Sequence, residues 1–144
     1  MYPSALEAGT LNVPGIISLN KSLDFLKEHG IENILKHEQE LAEAFYRSIC
    51  RLGNVKIYRE QGKKYAGMVS LNIEGMDAAA VSDILSHQYG IETRAGAHCA
   101  PLVHKHYGTE SMVRFSFGLN NTADDVWQCI DALKAIVKDR EHKE

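Results

Sequence analysis

Apolar residues recur every three or four positions in two consecutive stretches near the start of the chain. Ile16, Leu19, Leu23 and Leu26 fall at helical spacing and Gly30 stops the pattern, which predicts a helix over 16–29. Ile31, Ile34, Leu35, Leu41, Ala42, Phe45 and Ile49 then hold one face of a second helix. Glu38 is the one residue out of pattern, and Leu52-Gly53 ends the run.

From Val55 the period shortens to two. Val55 to Arg59 alternates as a short strand, and Gln61-Gly62-Lys63-Lys64 makes a turn. Met68 to Ile73 follows with Val69, Leu71 and Ile73 on one side, so the pair predicts a hairpin with a long loop. Asp77 can cap a helix running through Gln88, whose buried face is expected to be Ala80, Val81, Ile84 and Leu85, and Gly90 ends it. Ile91 to Arg94 predicts a short strand that runs into a loop. In Met112 to Phe117, Val113, Phe115 and Phe117 face the core, which leaves Arg114 and Ser116 on the opposite face. Thr122-Ala123-Asp124-Asp125 resembles a capping box, and Val126, Ile130, Leu133 and Val137 line the helix after it.

Residues 1–14 show no period and read as an extended lead-in; residues 15–144 read as one domain. The order α-α-β-β-α-β-loop-β-α predicts an α+β fold. Its sheet is small and mostly antiparallel, with three to four strands covered by helices on one face and a long helical segment before it.

At 144 residues and 44% hydrophobic content the chain can bury a real core. A net charge of -3 offers no basic stripe, which argues against nucleic acid as a partner. No apolar run approaches the roughly 20 residues of a membrane span, and Met1-Tyr2-Pro3-Ser4 does not open a secretory signal. Three cysteines are too few and too odd in number for a disulfide framework. These features lead to the expectation of a reducing, cytoplasmic setting. Cys50 and Cys129 fall in amphipathic helices, where a cysteine serves as a small hydrophobe.

Cys99 is different. It lies in Arg94-Ala95-Gly96-Ala97-His98-Cys99-Ala100-Pro101, with no periodicity around it and with Gly96 and Pro101 on either side. Thiolate is the reactive form of cysteine, and cationic neighbours such as Arg94 favour it. Three further features carry chemistry. Gly9 and Thr10, close before a helix, suit an anion such as phosphate, or simply a cap. Arg114 offers a guanidinium for two-pronged carboxylate binding, or for a surface ion pair. His98, His104 and His106 surround Cys99 with zinc-type ligands, although no Cys-x-x-Cys accompanies them.

Taken together, these segments resemble a known family. Glu7-Ala8-Gly9-Thr10 with Asn12, Arg94-x-Gly96-x-His98-Cys99-Ala100, and Val113-Arg114-Phe115-Ser116 followed by Asn120-Asn121-Thr122 occur in the same order in the C-terminal part of class V aminotransferases. These are fold-type I pyridoxal-phosphate enzymes, and the likeness is to the cysteine desulfurases and selenocysteine lyases among them. The resemblance implies that Cys99 is the nucleophile that takes sulfur from L-cysteine or a related amino acid, becoming a persulfide and releasing alanine. It implies that Arg114 binds the substrate carboxylate and that Arg94 and His98 shape the loop and activate the thiol. Gly9 and Thr10 would touch the phosphate of pyridoxal 5'-phosphate, typically that of the partner subunit in a homodimer. A sulfur-acceptor protein is the implied partner, and no resident metal is implied.

The chain departs from the pattern at Ala97, where a second histidine is common, at Leu11, often proline, and at Asn120, often aromatic. It also has no Ser/Gly-His-Lys segment for the Schiff-base lysine. The expectation is therefore a C-terminal small domain without its large cofactor domain, able to fold but unable to turn over cysteine by itself. Two other readings stay open: an aminotransferase or lyase domain without sulfur transfer, and a Cys/His metal-binding interaction module.

Overall fold

The first helix starts earlier than apolar spacing predicts, because Asn12 caps it. In the computed structural model, which describes residue 6 and residues 9–60 and 62–142, α1 spans Val13–His29. Asn12 Oδ1 accepts from the Gly15 amide at 3.1 Å, and Pro14 lies in the first turn, where a missing N–H is harmless. Gly15 permits this cap, since a Cβ there would lie 2.5 Å from Asn12 Nδ2. Glu7 and Ala8, part of the motif read from the sequence, lie outside the described residues.

The described residues up to Ile34 form one compact unit and those from Leu35 onward another. In the first, α1 buries none of its side chains, and Gly30 closes it by donating to the Leu26 carbonyl at 3.0 Å.

The second unit contains the core. Helix α2, Ile31–Ile49, begins in the first unit and brings Leu41, Ala42, Phe45 and Ile49 into that core. The remaining elements are β1 Val55–Ile57, β2 Met68–Ile73, α3 Ala78–Tyr89, β3 Arg94–Gly96, α4 Pro101–Tyr107, β4 Met112–Ser116 and α5 Ala123–Glu141. All four strands are antiparallel to their neighbours in the order β1-β2-β4-β3. Val69, Leu71 and Ile73 of β2 and Val113 and Phe115 of β4 share the core with α2, α3 and α5. The Phe45 ring lies 4.7 Å from Phe115 and 5.3 Å from Phe117, centroid to centroid. The α+β layer is as the sequence predicts, with α2, α3 and α5 on one face.

Further details differ from expectation. On α3 it is Ala78, with Val81 and Leu85, that is buried, while Ala80 is exposed. Strand β3 is Arg94–Gly96 rather than 91–94, because residues 91–93 turn back to α3. The Ile91 amide donates to the Leu85 carbonyl at 3.0 Å, and the Ser82 and Thr93 hydroxyls meet at 2.9 Å. Helix α4 replaces part of the expected loop; Pro101 starts it and left-handed Gly108 ends it. Cys50 is exposed just beyond α2 instead of serving the core, and its thiol donates to the Arg47 carbonyl at 3.2 Å.

Candidate active site

Cys99 occupies the tip of a tight turn. The Ala100 amide donates to the Ala97 carbonyl at 2.9 Å, and the two residues between them, His98 and Cys99, have φ of +53° and +55°. Two positive φ values in succession mark a primed turn, which side chains with a Cβ resist. Gly96, at φ +112°, leads the chain out of β3 into it. The turn leaves Cys99 exposed, and α4 starts two residues later.

His98 is tied back to β3 by a 3.0 Å hydrogen bond between its Nε2 and the Arg94 carbonyl. A carbonyl only accepts, so Nε2 carries the proton and Nδ1 of the neutral ring keeps a lone pair. Partial burial pulls the His98 pKa below its usual value, and the charges of Arg114, His104 and Arg94 push the same way, against the opposing effect of the Arg94 carbonyl. These effects favour the uncharged ring of His98, the residue before Cys99 in the turn.

The strands supply the positive charge. Arg94 on β3 lies directly opposite Arg114 on β4, with Ser70 of β2 on the other side of Arg114. Like charges directly opposite one another destabilise a sheet. Neither guanidinium is in an ion pair among the described residues. Arg114 Nε is also buried without an acceptor. Two unneutralised arginines in one cross-strand row can receive a carboxylate.

Arg94, His98, Cys99 and Arg114 are therefore brought together at the β3–β4 edge. Gly9 and Thr10 belong to the first unit. Both are exposed, with Gly9 at φ +83° and open space where a Cβ would stand. An amide in such open backbone fits a phosphate oxygen.

His104 is buried on α4, its ring centroid 5.9 Å from that of His98 and its Nδ1 without a hydrogen-bond partner. His106 instead meets Glu60 at 3.2 Å. Among the described residues no three His, Cys, Asp or Glu side chains gather as a metal site. Cys129 is buried, and desolvation, with a smaller push from Asp125, raises its pKa to about 11.

Sequence reasoning missed a cleft of about 620 Å3 on the sheet face that carries Arg114. Tyr58, Tyr65, Met68 and Met112 line it opposite Leu102 and Tyr107 of α4. Pro101 and Gly108, bracketing α4, were the signal that could have found it.

The chain belongs to the aminotransferase class-V family, whose model matches residues 1–129. That family is pyridoxal-phosphate-dependent in general. Its relatives narrow the likeness. A cysteine desulfurase of Haloferax volcanii is 33% identical over 92% of this chain and 31% of its own length. A probable cysteine desulfurase of Halalkalibacterium halodurans is 38% identical over 97% of this chain and 33% of its own length. The solved cysteine desulfurase of Thermococcus onnurineus superposes with a TM-score of 0.86 at 32% identity, covering 94% of this chain and 34% of that one. For the cysteine desulfurase CsdA of Escherichia coli the TM-score is 0.84 at 27% identity, over 94% and 33%. The chain thus spans about a third of the length of the relatives it matches. No helix among the described residues is long and apolar enough to cross a membrane.

Proposed function

We propose that this chain supplies the persulfide-forming cysteine and the substrate-carboxylate arginine of a cysteine desulfurase, which converts L-cysteine to L-alanine and passes the sulfur on. The observation that carries this reading is the exposed Cys99 turn beside the opposed, unneutralised pair Arg94 and Arg114.

Arg114 takes the substrate carboxylate in two-pronged fashion, and Arg94 adds positive charge from the neighbouring strand. The proton of Cys99 Sγ passes to Nδ1 of His98. The thiolate then attacks the substrate sulfur; an S–S bond forms as the substrate's Cβ–S bond breaks. The electron pair of that bond stays with carbon, which takes up a proton and leaves as alanine. Pyridoxal phosphate, when bound, supplies the electron sink that makes this cleavage accessible. Gly9 and Thr10 offer contacts to its phosphate, toward the partner subunit of a homodimer in this reading, and no residue of this chain is assigned the covalent lysine. The persulfide on the exposed turn is then open to the thiol of a sulfur-acceptor protein.

The test joins this chain to the cofactor-binding part of the Halalkalibacterium halodurans relative, in place of that protein's C-terminal third. With L-cysteine the joined protein should release alanine and gain the mass of one sulfur on Cys99. Cys99→Ala should keep the cofactor's visible absorption and lose the persulfide. The chain alone, given pyridoxal phosphate and L-cysteine, should form no alanine. Alanine formation undiminished in Cys99→Ala, with no sulfur ever found on the turn, would leave a lyase or aminotransferase reading in its place.

A further inference from the structure

We propose that His104 is a positioning residue for the thiol: its ring braces His98 so that Nε2 stays on the Arg94 carbonyl and Nδ1 stays free for the proton of Cys99. This rests on the reading of Cys99 as the sulfur nucleophile.

His98 needs such a brace. Its backbone is left-handed, and its ring is held by one hydrogen bond, at Nε2. One hydrogen bond fixes one ring nitrogen and leaves the rest of the ring to be held by packing. His104 has the opposite character. It is 6% exposed, its amide donates to the Ala100 carbonyl at 3.2 Å, and its carbonyl accepts from the Thr109 amide at 3.1 Å. The two rings lie 5.9 Å apart, tilted by 59°, within the range of aromatic edge contacts.

His104 has no competing task in view. Buried polar atoms in native proteins are nearly always hydrogen-bonded, yet His104 Nδ1 has no partner. No metal group forms around it among the described residues. The ring it pairs with is that of His98. The groups that act on His98 are Arg94 from β3, Arg114 from β4 and His104 from α4, with Cys99 next in the chain. Of these, His104 is the buried ring that can fix orientation by contact.

The test reads the thiol directly, without cofactor. The full 144-residue chain is treated with iodoacetamide across pH 5–9, and each cysteine is followed by peptide mass spectrometry. In the reaction the Cys99 proton leaves to His98, an S–C bond forms and iodide departs. Exposed Cys50 is the internal reference and buried Cys129 the silent one. Base assistance should make Cys99 react about tenfold faster than Cys50 near pH 7, with a pH profile that carries the His98 titration.

His104→Ala should bring Cys99 to within about twofold of Cys50 and erase that titration, as should His98→Ala, and the double variant should lose no more. His104→Phe, which keeps a ring in place, should recover at least half of the difference. Nitrogen-15 spectra of the unsubstituted chain should show the Nε2–H tautomer for His98, a readout that needs no variant to fold. The proposal is overturned by the Nδ1–H tautomer, by an unchanged rate and profile in His104→Ala, or by losses that add in the double variant. Such a result leaves persulfide formation in the joined protein untouched, so the two readings fail separately.

Discussion

Replacing Cys99 by glycine should make the protein more stable than replacing it by alanine, the reverse of the usual order. Alanine keeps the Cβ that the left-handed backbone at φ +55° resists, at a cost of about 1–2 kcal/mol. Glycine removes that cost but gives the unfolded chain more freedom, worth about 0.5–1 kcal/mol against it. The exposed Cys99 side chain contributes no burial to lose. The difference should favour glycine by about 0.5–1 kcal/mol, or roughly 0.5 M in the urea midpoint at an ordinary slope. Urea unfolding followed by circular dichroism reads it, with the slope required to stay constant. Gly96→Ala, at φ +112°, should be destabilising by about 1 kcal/mol or more in the same assay. A midpoint for Cys99→Ala equal to or above that of Cys99→Gly would refute the primed turn, and with it the claim that strain is held at the reactive residue.

Three further outcomes follow from the packing and the charges. Phe45→Ala empties a fully buried site against Phe115 and Phe117 and should cost about 3–5 kcal/mol in urea unfolding. Thr122→Ala removes the capping box that starts α5 and should cost about 1 kcal/mol, measured by thermal melting. Because the folded pKa of His98 lies below its ordinary 6.5, the unfolded chain binds more protons as the pH falls. The stability associated with His98 is therefore full above its ordinary pKa, declines as the pH falls through that value, and levels off below the folded one. Unfolding curves from pH 8 to 5 should show a slope in this window that His98→Asn reduces; an equal slope in both proteins would count against the lowered value.

The elements legible in the sequence were those whose period repeats. Helix α2 shows its apolar face over five turns, and the alternation of β4 placed Val113 and Phe115 inward and Arg114 outward, as found. Helix α4 was not legible, because seven residues with His104, Lys105 and His106 among them show no apolar period. Strand β3 starts later because residues 91–93 turn back to α3, where the Ile91 amide bonds the Leu85 carbonyl and Ser82 meets Thr93, a tertiary pairing that local pattern does not show. Cys99 and its arginines stood out by type and order, but their closeness did not. That Arg94 and Arg114 are cross-strand neighbours depends on pairing in space, which one strand's sequence does not contain. The tautomer of His98 likewise follows from a turn whose positive φ values fall on residues that rarely adopt them.

The same alternation that builds the core also aims the chemistry. On β4, Val113 and Phe115 must face inward, and a period of two then leaves Arg114 no choice but the opposite face. A slip of one residue would bury a guanidinium and expose two hydrophobes, so the core enforces the register. That register, Gly96 against Met112 and Arg94 against Arg114, sets where the chain leaves β3 and so where the Cys99 turn stands. Like-charge repulsion between the arginines and the left-handed turn both oppose folding locally. They persist because the core-facing pairs beside them, half-buried Ala95 with buried Val113 and buried Val69 with buried Phe115, hold the strands in place. The site is thus strained and charged by virtue of a core that over-determines it, and weakening that core should relax the turn before the sheet is lost.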